Sequence, residues 1–257
     1  MNRSKKSSPL ILISNDDGIQ APGIRVLARA LKKIRGARVV VVAPDREKSA
    51  ASHALTLHRP LRVEKISRDT YSVDGTPTDA VMLAVHTILK KKPDLIISGI
   101  NRGANLGEDV HYSGTVSAAL EGAIMGIPAI AVSVVGLAHF RYDVAARFSV
   151  KLVRKVLRDG LPVGVVLNVN VPSVHSRKIR GTVATSLGKH NYGDVNVEKI
   201  DPRGRPYYWI GGTPLQFAKR AGSDCEAYLQ RKISVTPIQV DMTDQIFLRK
   251  LKKWKLD

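Results

Sequence analysis

Two adjacent carboxylates, Asp16 and Asp17, stand directly after a short apolar run in the stretch ILISNDDGIQAPGI. The run has the composition of a buried strand, so the pair is expected at its end. Each carboxylate raises the pKa of the other, and ionising both in a partly buried place is unfavourable unless a cation or hydrogen-bond donors lie between them. Taken alone, Asp-Asp-Gly after a strand is as often a turn with a helix cap. The pair therefore indicates either a cation site or a turn.

A second group of polar residues fills the loop GINRGANLGEDVHYSGT, which follows the apolar stretch DLIIS. The loop runs for about fifteen residues, and loops longer than the usual ~2–6 of such connections are mostly functional. Asn101 and Asn105 supply amide oxygens, although they also suit plain turns. Ser113, Gly114 and Thr115 then open a helix, whose free N–H groups and dipole favour phosphate binding. The two hydroxyls can equally be ordinary helix caps.

A third loop, PDREKSAAS, follows the run VVVVA and carries Asp45, Ser49 and Ser52. By itself Ser49 is more often a loop hydroxyl bonded to local backbone than a ligand. Two carboxylates with hydroxyl and amide oxygens nearby form a hard ligand set, which suits Mg²⁺ or Mn²⁺ and suits zinc poorly. With a phosphate site close by, the combination indicates metal-assisted hydrolysis of a phosphate ester.

The elements that must position these loops alternate along the first two-thirds of the chain. Strands are predicted at 9–14, 37–43, 94–99, 128–134 and 164–171, and helices at 22–34, from an N-cap at Thr76, at 114–126 and at about 141–158, with a hairpin excursion within 54–73. This order implies right-handed crossovers and an open parallel sheet covered on both faces. The predicted fold class is therefore α/β, Rossmann-like and doubly wound, with a mainly parallel sheet. Ligands bind such sheets outside the carboxyl ends of the strands, where the strand order reverses.

After Pro172 the pattern changes to shorter extended pieces separated by polar and glycine-rich stretches. We predict an α/β catalytic core over 9–172 and a C-terminal extension over 173–257, with a β-hairpin arm and a terminal helix that serve in oligomerisation. Tyr207 and Trp209, in the apolar stretch YYWIG, are expected to pack rather than to stack on bases.

Composition limits the classes of partner. The formal net charge of +19 is typical of a nucleic-acid-binding protein, but the cations are scattered along the sequence and only 5% of residues are aromatic. Nucleic acid is therefore possible but not favoured, and small phosphorylated anions fit the charge at least as well. No apolar run approaches the ~18 residues of a membrane span. Cys225 is the only cysteine, which suggests a reducing compartment, and we expect a cytoplasmic protein.

Several long motifs resemble, in the same order, those of the SurE family of survival proteins. They are SNDDGIQAPGI, VVAPDREKSAASHALTL, VDGTPTDAV, SGINRGANLGEDVHYSGTVSAALEGAIMGIPAIAVS, NVNVP and DPRGRPYYWIGG. The resemblance covers the chain from about residue 9 to about residue 243. It implies a metal-dependent nucleotidase that removes phosphate from nucleoside 5′-monophosphates, and often from 3′-monophosphates, with short polyphosphate as a further substrate in some members.

The resemblance also implies a set of site residues. One Mg²⁺ or Mn²⁺ ion per subunit would be held by Asp16, Asp17, Ser49 and Asn101. Phosphate would be bound by Asn105 and by the turn Ser113, Gly114 and Thr115. Members are usually homodimers or homotetramers whose C-terminal extension is exchanged between subunits. This chain has Lys48 and Ala50 where family members commonly carry arginine and glycine, a change that can alter the loop backbone.

The catalytic hypothesis gives the acid pair two tasks. Asp16 and Asp17 anchor the ion, and a water activated by the ion, or deprotonated by one of them, attacks phosphorus in line. A rival mechanism makes one aspartate a nucleophile that forms an aspartyl-phosphate, although Gly18 follows the pair directly and the pattern D-x-D-x-[TV] is absent. The alternatives of another class are a basic nucleic-acid-binding protein and a non-catalytic nucleotide sensor.

Overall fold

A computed structural model describes residues 8–189, 196–210, 217–218 and 220–255. Its strands are β1 Leu10–Ser14, β2 Arg38–Pro44, β3 Val63–Ser67, β4 Thr70–Val73, β5 Leu95–Arg102, β6 Ala129–Val135, β7 Val165–Pro172, β8 Thr182–Ala184, β9 Asn196–Ile200, β10 Pro206–Ile210 and β11 Ile233–Gln239. Its helices are α1 Pro22–Leu31, α2 Pro77–Leu83, α3 Gly114–Ile124, α4 Tyr142–Asp159, α5 Asp224–Leu229 and α6 Gln245–Leu251.

Nine strands form one sheet in the order β3-β4-β2-β1-β5-β6-β7-β11-β8. The central strands from β4 to β7 run parallel, and both ends are completed antiparallel, by β3 against β4 and by β11 against β7. From β1 the chain adds β2 on one side and later β5 on the other, so the strand order reverses between β1 and β5. The predicted doubly wound, mainly parallel sheet is confirmed.

Two apolar clusters cover the two faces of this sheet. On one face Ile24 and Leu27 of α1 join Val153 of α4, and on the other Val81 of α2 joins Val116 of α3. Strands β1 and β6 are buried along their whole length. A strand buried on both faces reads as a continuous apolar run, which is why these strands could be predicted closely.

The helix predicted from Thr76 begins with the expected capping box. The Thr76 hydroxyl oxygen accepts from the Asp79 N–H at 3.1 Å, and the Asp79 carboxylate accepts from the Thr76 N–H at 2.8 Å. Both residues therefore cap the helix. The excursion within 54–73 does contain a hairpin, β3 and β4, and β4 also joins the central sheet parallel to β2.

After Pro172 the chain adds to the core sheet and also forms a separate hairpin. Strand β11 pairs with β7 and with β8, while β9 and β10 pair only with each other among the described strands. The expectation that Tyr207 and Trp209 pack is wrong within this chain, because the two residues are 41% and 62% exposed. Among the residues that the structure describes, no further strand pairs with this two-stranded hairpin to help bury them. The oligomerisation arm stays a prediction, and positions 190–195, 211–216, 219 and 256–257 of the extension lie outside the described residues.

Candidate active site

The acid pair lies at the reversal point of the strand order, as expected for a ligand site in this fold. Asp16 and Asp17 follow the carboxyl end of β1, and Asn101 lies near the carboxyl end of the adjacent strand β5. Gly18 follows the pair with φ of +92°, and a Cβ there would stand 2.8 Å from the Arg46 carbonyl carbon. Glycine at this position lets the first loop pass tightly against the loop after β2.

Asp16 is buried against the start of α3. The Thr115 hydroxyl donates a hydrogen bond to Asp16 Oδ1. A Cβ on Gly114 would come within 2.8 Å of the Asp16 Cβ, so glycine is needed for the helix to approach this closely. The pKa of Asp16 is raised to about 6, chiefly by burial; the Thr115 hydrogen bond lowers it and the charge of Asp17 raises it. The carboxyl is therefore poorly stabilised as an anion without a cation.

Asp17 is the more exposed acid and contacts the loop after β5. Its Oδ2 accepts a hydrogen bond from the Arg102 N–H at 3.0 Å. Burial raises the pKa of Asp17, the charge of Glu47 adds to this, and the hydrogen bond and charge of Arg102 oppose it. Arg102 also places its guanidinium 5.8 Å from the Phe140 ring centroid. Burial raises the pKa of Tyr142, and the charge of Asp17 adds to this rise. Sequence reasoning missed these neighbours because Phe140 and Tyr142 lie about forty residues after Arg102 and more than 120 after Asp17.

Ser49 and Asn101 adjoin the acid pair because the residues next to them in the sequence, Lys48 and Arg102, donate backbone hydrogen bonds to Asp16 and Asp17. The Lys48 N–H donates to the Asp16 carbonyl oxygen at 2.7 Å, so the loop with Ser49 adjoins the first loop. Ser49 is exposed and its hydroxyl donates to Glu47 Oε1 at 2.7 Å. Asn101 is buried and uses its amide nitrogen on the Gly103 carbonyl oxygen at 3.2 Å, which leaves Oδ1 as the atom suited to a cation.

Asn105 is held in a buried hydrogen-bond network at the ends of β6 and β7. Its backbone N–H donates to Asn170 Oδ1 at 3.0 Å and its side-chain nitrogen donates to the Ser133 hydroxyl at 2.7 Å. Its carbonyl oxygen accepts from the amides of Asn168 and Asn170 at 2.8 and 2.9 Å. These contacts anchor the long loop to the sheet. The alternating asparagines of the motif NVNVP were the available signal for this network.

The turn at residues 113–115 forms the N-terminus of α3. The Ser113 oxygen accepts from the Val116 N–H at 3.1 Å and so caps the helix, while the Thr115 hydroxyl is engaged by Asp16. A hydroxyl that accepts one hydrogen bond can still donate its own proton. The capping role of Ser113 is therefore compatible with a contact to phosphate, and the helix dipole favours an anion at this place.

The loop after β2 is hydrogen-bonded to the long loop and to α3. Ser52 donates from its backbone N–H to the Tyr112 carbonyl oxygen at 3.2 Å and from its hydroxyl to the His111 carbonyl oxygen at 2.7 Å. His53 Nε2 lies 2.8 Å from Glu121 Oε2 of α3. Ala50 adopts φ of 56°, in the left-handed region that favours glycine.

A buried carboxylate from the C-terminal part of the chain supports the long loop from behind. Asp224 accepts hydrogen bonds from the N–H groups of Gly107, Gly188 and Cys225 at 2.9, 2.7 and 2.8 Å. Burial, with the neighbouring Asp224, raises the pKa of the Cys225 thiol to about 12, so the residue is an unreactive part of the interior. Asp224 was missed in the sequence because its partners are distant in the chain.

The donor set fits a hard divalent cation. Among the described residues no three side chains of His, Cys, Asp or Glu converge, so a metal here would be bound by two carboxylates and neutral oxygens. Asn15 Oδ1, next to the acid pair, is buried and has no hydrogen-bond partner in the described part of the chain. Oxygen ligands of this kind are those that Mg²⁺ and Mn²⁺ prefer.

Among the described helices, none combines the length and the apolar composition needed to span a membrane.

Comparison with known proteins agrees with this geometry. The family described as Survival protein SurE matches residues 11–194. The chain belongs to the SurE family. It is 52% identical over 247 residues to a 5′-nucleotidase SurE from Geotalea daltonii, covering 96% of this chain and 99% of the relative. A 5′-nucleotidase SurE from Geobacter sulfurreducens is 53% identical, with 96% and 94% covered.

A solved SurE structure shares the fold. The crystal structure of the SurE protein from Aquifex aeolicus superposes with a TM-score of 0.84 at 44% sequence identity, covering 95% of this chain and 98% of that one. The suspected SurE resemblance is thereby confirmed over almost the whole chain, including β8 and β11, which lie beyond Pro172.

Proposed function

We propose that this SurE family member is a 5′-nucleotidase that hydrolyses nucleoside 5′-monophosphates to nucleoside and phosphate, with a divalent ion as cofactor. The observation that carries the proposal is the meeting of three features at the reversal point of the sheet. They are the acid pair, the Asn101 loop and the N-terminus of α3. The named 5′-nucleotidase relatives at about 50% identity support the same activity.

The proposed ligands of the ion are Asp16, Asp17, Ser49 and Asn101, and the ion is Mg²⁺ or Mn²⁺. When bound, such an ion neutralises the pair and polarises the phosphate oxygens. The raised pKa values of Asp16 and Asp17 express the need for a positive charge beside them. Ser49 would have to leave Glu47 to serve as a ligand.

The chain's own groups then act on the phosphate ester. The start of α3 binds phosphate oxygens with its backbone N–H groups and with the Ser113 hydroxyl, and stabilises charge that develops on them. Asp17, the less buried acid, accepts the proton of the water that attacks phosphorus, while Asp16 stays fixed by Thr115. The ester P–O bond breaks as the new P–O bond forms, and the nucleoside oxygen leaves with a proton taken from solvent. Asn105 holds the loop that carries this phosphate site in register with the sheet.

A phosphate-release assay tests the proposal directly. The purified protein is given AMP, GMP, CMP, UMP, the matching 3′-monophosphates and short polyphosphate, each with Mg²⁺, with Mn²⁺ and with EDTA. We expect release from 5′-monophosphates with metal, none with EDTA, and a loss of at least roughly 100-fold in Asp16→Asn. Full activity of Asp16→Asn with Mn²⁺ would contradict the assignment.

The alternatives named from the sequence receive no support from the comparisons, in which the relatives are 5′-nucleotidases. A nucleic-acid-binding protein or a nucleotide sensor would bind its ligand without releasing phosphate in the same assay. An aspartyl-phosphate mechanism would show a phosphorylated enzyme in burst kinetics, which hydrolysis by water would not.

We further propose a homodimer or homotetramer in which the arm around β9 and β10 contacts another copy. The support is the exposure of Tyr208 and Trp209, at 60% and 62%, on a hairpin that pairs with no other described strand. Exposed aromatic residues are enriched where proteins associate. Tyr208→Ser with Trp209→Ser should lower the mass measured by light scattering. Cell fractionation would test the expected cytoplasmic location.

A further inference from the structure

A cavity of about 500 Å³ opens between α1 and the β3–β4 hairpin. It arises because α1 packs mainly on α4 and β5 and only lightly on β1 and β2, while α2 packs against β4 from the opposite face. The outer edge of the sheet therefore leaves a groove beside α1. Cavities of roughly 300–1,000 Å³ are the size that holds small organic ligands.

One wall of this cavity is a row of cations on α1 and on Lys32, the residue that caps its C-terminus. Arg25, Arg29 and Lys32 stand at positions i, i+4 and i+7, which places them along one side of the helix over roughly 10 Å. No carboxylate is among the residues that line the cavity. Within the described part of the chain neither Arg29 nor Lys32 forms an ion pair. The wall therefore carries about three uncompensated positive charges.

The other walls supply apolar surface and hydroxyl groups. Ile19 and Ile66 line the cavity, and Ile66 is 45% exposed although it belongs to a strand. Ser67 and Thr70, from the two strands of the hairpin, also line it. A flat apolar group can lie on the isoleucines while the hydroxyls donate to polar atoms. This pairing of apolar wall and cation row suits a ligand with one apolar end and one anionic end.

Acids are present nearby but lie on the other side of Ile66. An adjoining cavity of about 340 Å³ is lined by Asp45 and Glu64 together with Lys65. The two carboxylates thus line the smaller cavity beside a single cation, whereas the charged residues of the α1 cavity are all cations. An anionic ligand is attracted to the α1 end and repelled from the other.

We propose that the α1 cavity is a second ligand site that binds a nucleoside di- or triphosphate, with the phosphates along Arg25, Arg29 and Lys32 and the base on Ile19 and Ile66. Cations spread over roughly 10 Å match a chain of two or three phosphates better than a single one. The site touches the first loop, because Ile19 and Gln20 line both cavities and stand a few residues after Asp17.

Isothermal titration of the full-length protein with ADP and ATP in EDTA tests the site. Chelation removes the divalent ion, and the bare acid pair then repels phosphate, so binding at the active site is suppressed. We expect binding that weakens with salt and drops at least roughly tenfold in Arg29→Gln/Lys32→Gln. Lys33→Gln is the control, because Lys33 is exposed, follows the C-cap of α1 and does not line the cavity.

Five other outcomes of this titration would overturn the proposal, or the part of it that concerns the base. Absence of ATP binding in EDTA overturns it, as does equal loss in Lys33→Gln or no loss in the double variant. If tripolyphosphate binds as tightly as ATP, the cavity does not bind the base. If an oligonucleotide binds more tightly than ATP, the ligand of the cavity is nucleic acid and not a nucleotide. Circular dichroism verifies that the variants are folded. No turnover is measured, so failure here leaves the proposed phosphatase activity untouched.

Discussion

The Thr115 hydroxyl donates a hydrogen bond to Asp16 Oδ1 across 99 positions of the chain. This contact joins the end of β1 to the first turn of α3. It connects a carboxylate suited to a cation with a helix N-terminus suited to a phosphate. The two halves of the candidate site are therefore structurally coupled, and a substitution at Thr115 should change the position of the Asp16 carboxylate.

Thr115→Val should lower kcat by roughly 10- to 100-fold, the usual effect of removing a group that orients a metal ligand. Valine keeps the shape of threonine but cannot donate, so Asp16 loses its fixed position and the hydrogen bond that lowers its pKa. Steady-state kinetics with AMP and Mn²⁺ give the measurement. Thr78→Val is the control, since the Thr78 hydroxyl is buried without a partner in the described residues. Wild-type kcat in Thr115→Val would contradict the role.

Asp16→Asn should stabilise the metal-free protein at neutral pH although it removes activity. Burial above all raises the pKa of Asp16 from 3.8 to about 6. Between these values the folded protein binds a proton that the unfolded chain releases, so the metal-free fold loses stability as the pH rises from about 4 to 6. The loss persists above pH 6 and amounts to roughly 3 kcal/mol.

Urea unfolding in EDTA at pH 4 and pH 7.5 measures this effect. The variant should be more stable than the wild type at pH 7.5 and similar at pH 4, and Asp45→Asn, at an exposed position, is the control for loss of one carboxylate. Added Mn²⁺ should stabilise the wild type and not Asp16→Asn. A variant whose stability parallels the wild type at both pH values would show that Asp16 is not destabilised by its surroundings.

The sequence predicted the parts of the site that depend on short-range pattern. Asp16, Asn101 and Thr115 follow or precede strongly apolar or periodic segments, so their place at strand and helix ends could be inferred. The buried support was not predictable in this way. Asp224 contacts Gly107 over 117 positions, and its role depends on β11 inserting beside β7, which no local pattern specifies. The exposure of Trp209 likewise could not be predicted, because an apolar stretch does not indicate which other part of the structure buries it.

Ala50→Gly should stabilise the protein by about 1 kcal/mol. Ala50 has φ of 56°, where a Cβ costs free energy that glycine avoids. The neighbouring Lys48 and Ser52 hold the loop by hydrogen bonds, so the backbone cannot relax easily. Urea unfolding gives the free energy change. Ala51→Gly is the control and should destabilise by about 0.5 kcal/mol, since glycine there only adds freedom to the unfolded chain. Destabilisation by Ala50→Gly would exclude strain at this position.

The contact between His53 and Glu121 should set how tightly the loop after β2 is held over the site. His53 Nε2 and Glu121 Oε2 are 2.8 Å apart, and the Glu121 side chain is only 12% exposed. Because the loop also carries Ser49, His53→Ala should raise the Mn²⁺ concentration needed for half-maximal activity several-fold. The kcat at saturating Mn²⁺ should change little, since the contact does not touch the reacting atoms.

A double-mutant cycle tests whether this pair acts as one clasp. Glu121→Met removes the acceptor at similar volume and should raise the Mn²⁺ requirement as His53→Ala does, and the double variant should show no further increase. His58→Ala, on the same loop and exposed, is the control. The stability change should stay below about 1 kcal/mol, because such a partly exposed pair contributes little. Additive effects, or an unchanged Mn²⁺ requirement, would show that the hydrogen bonds of Ser52 alone hold the loop.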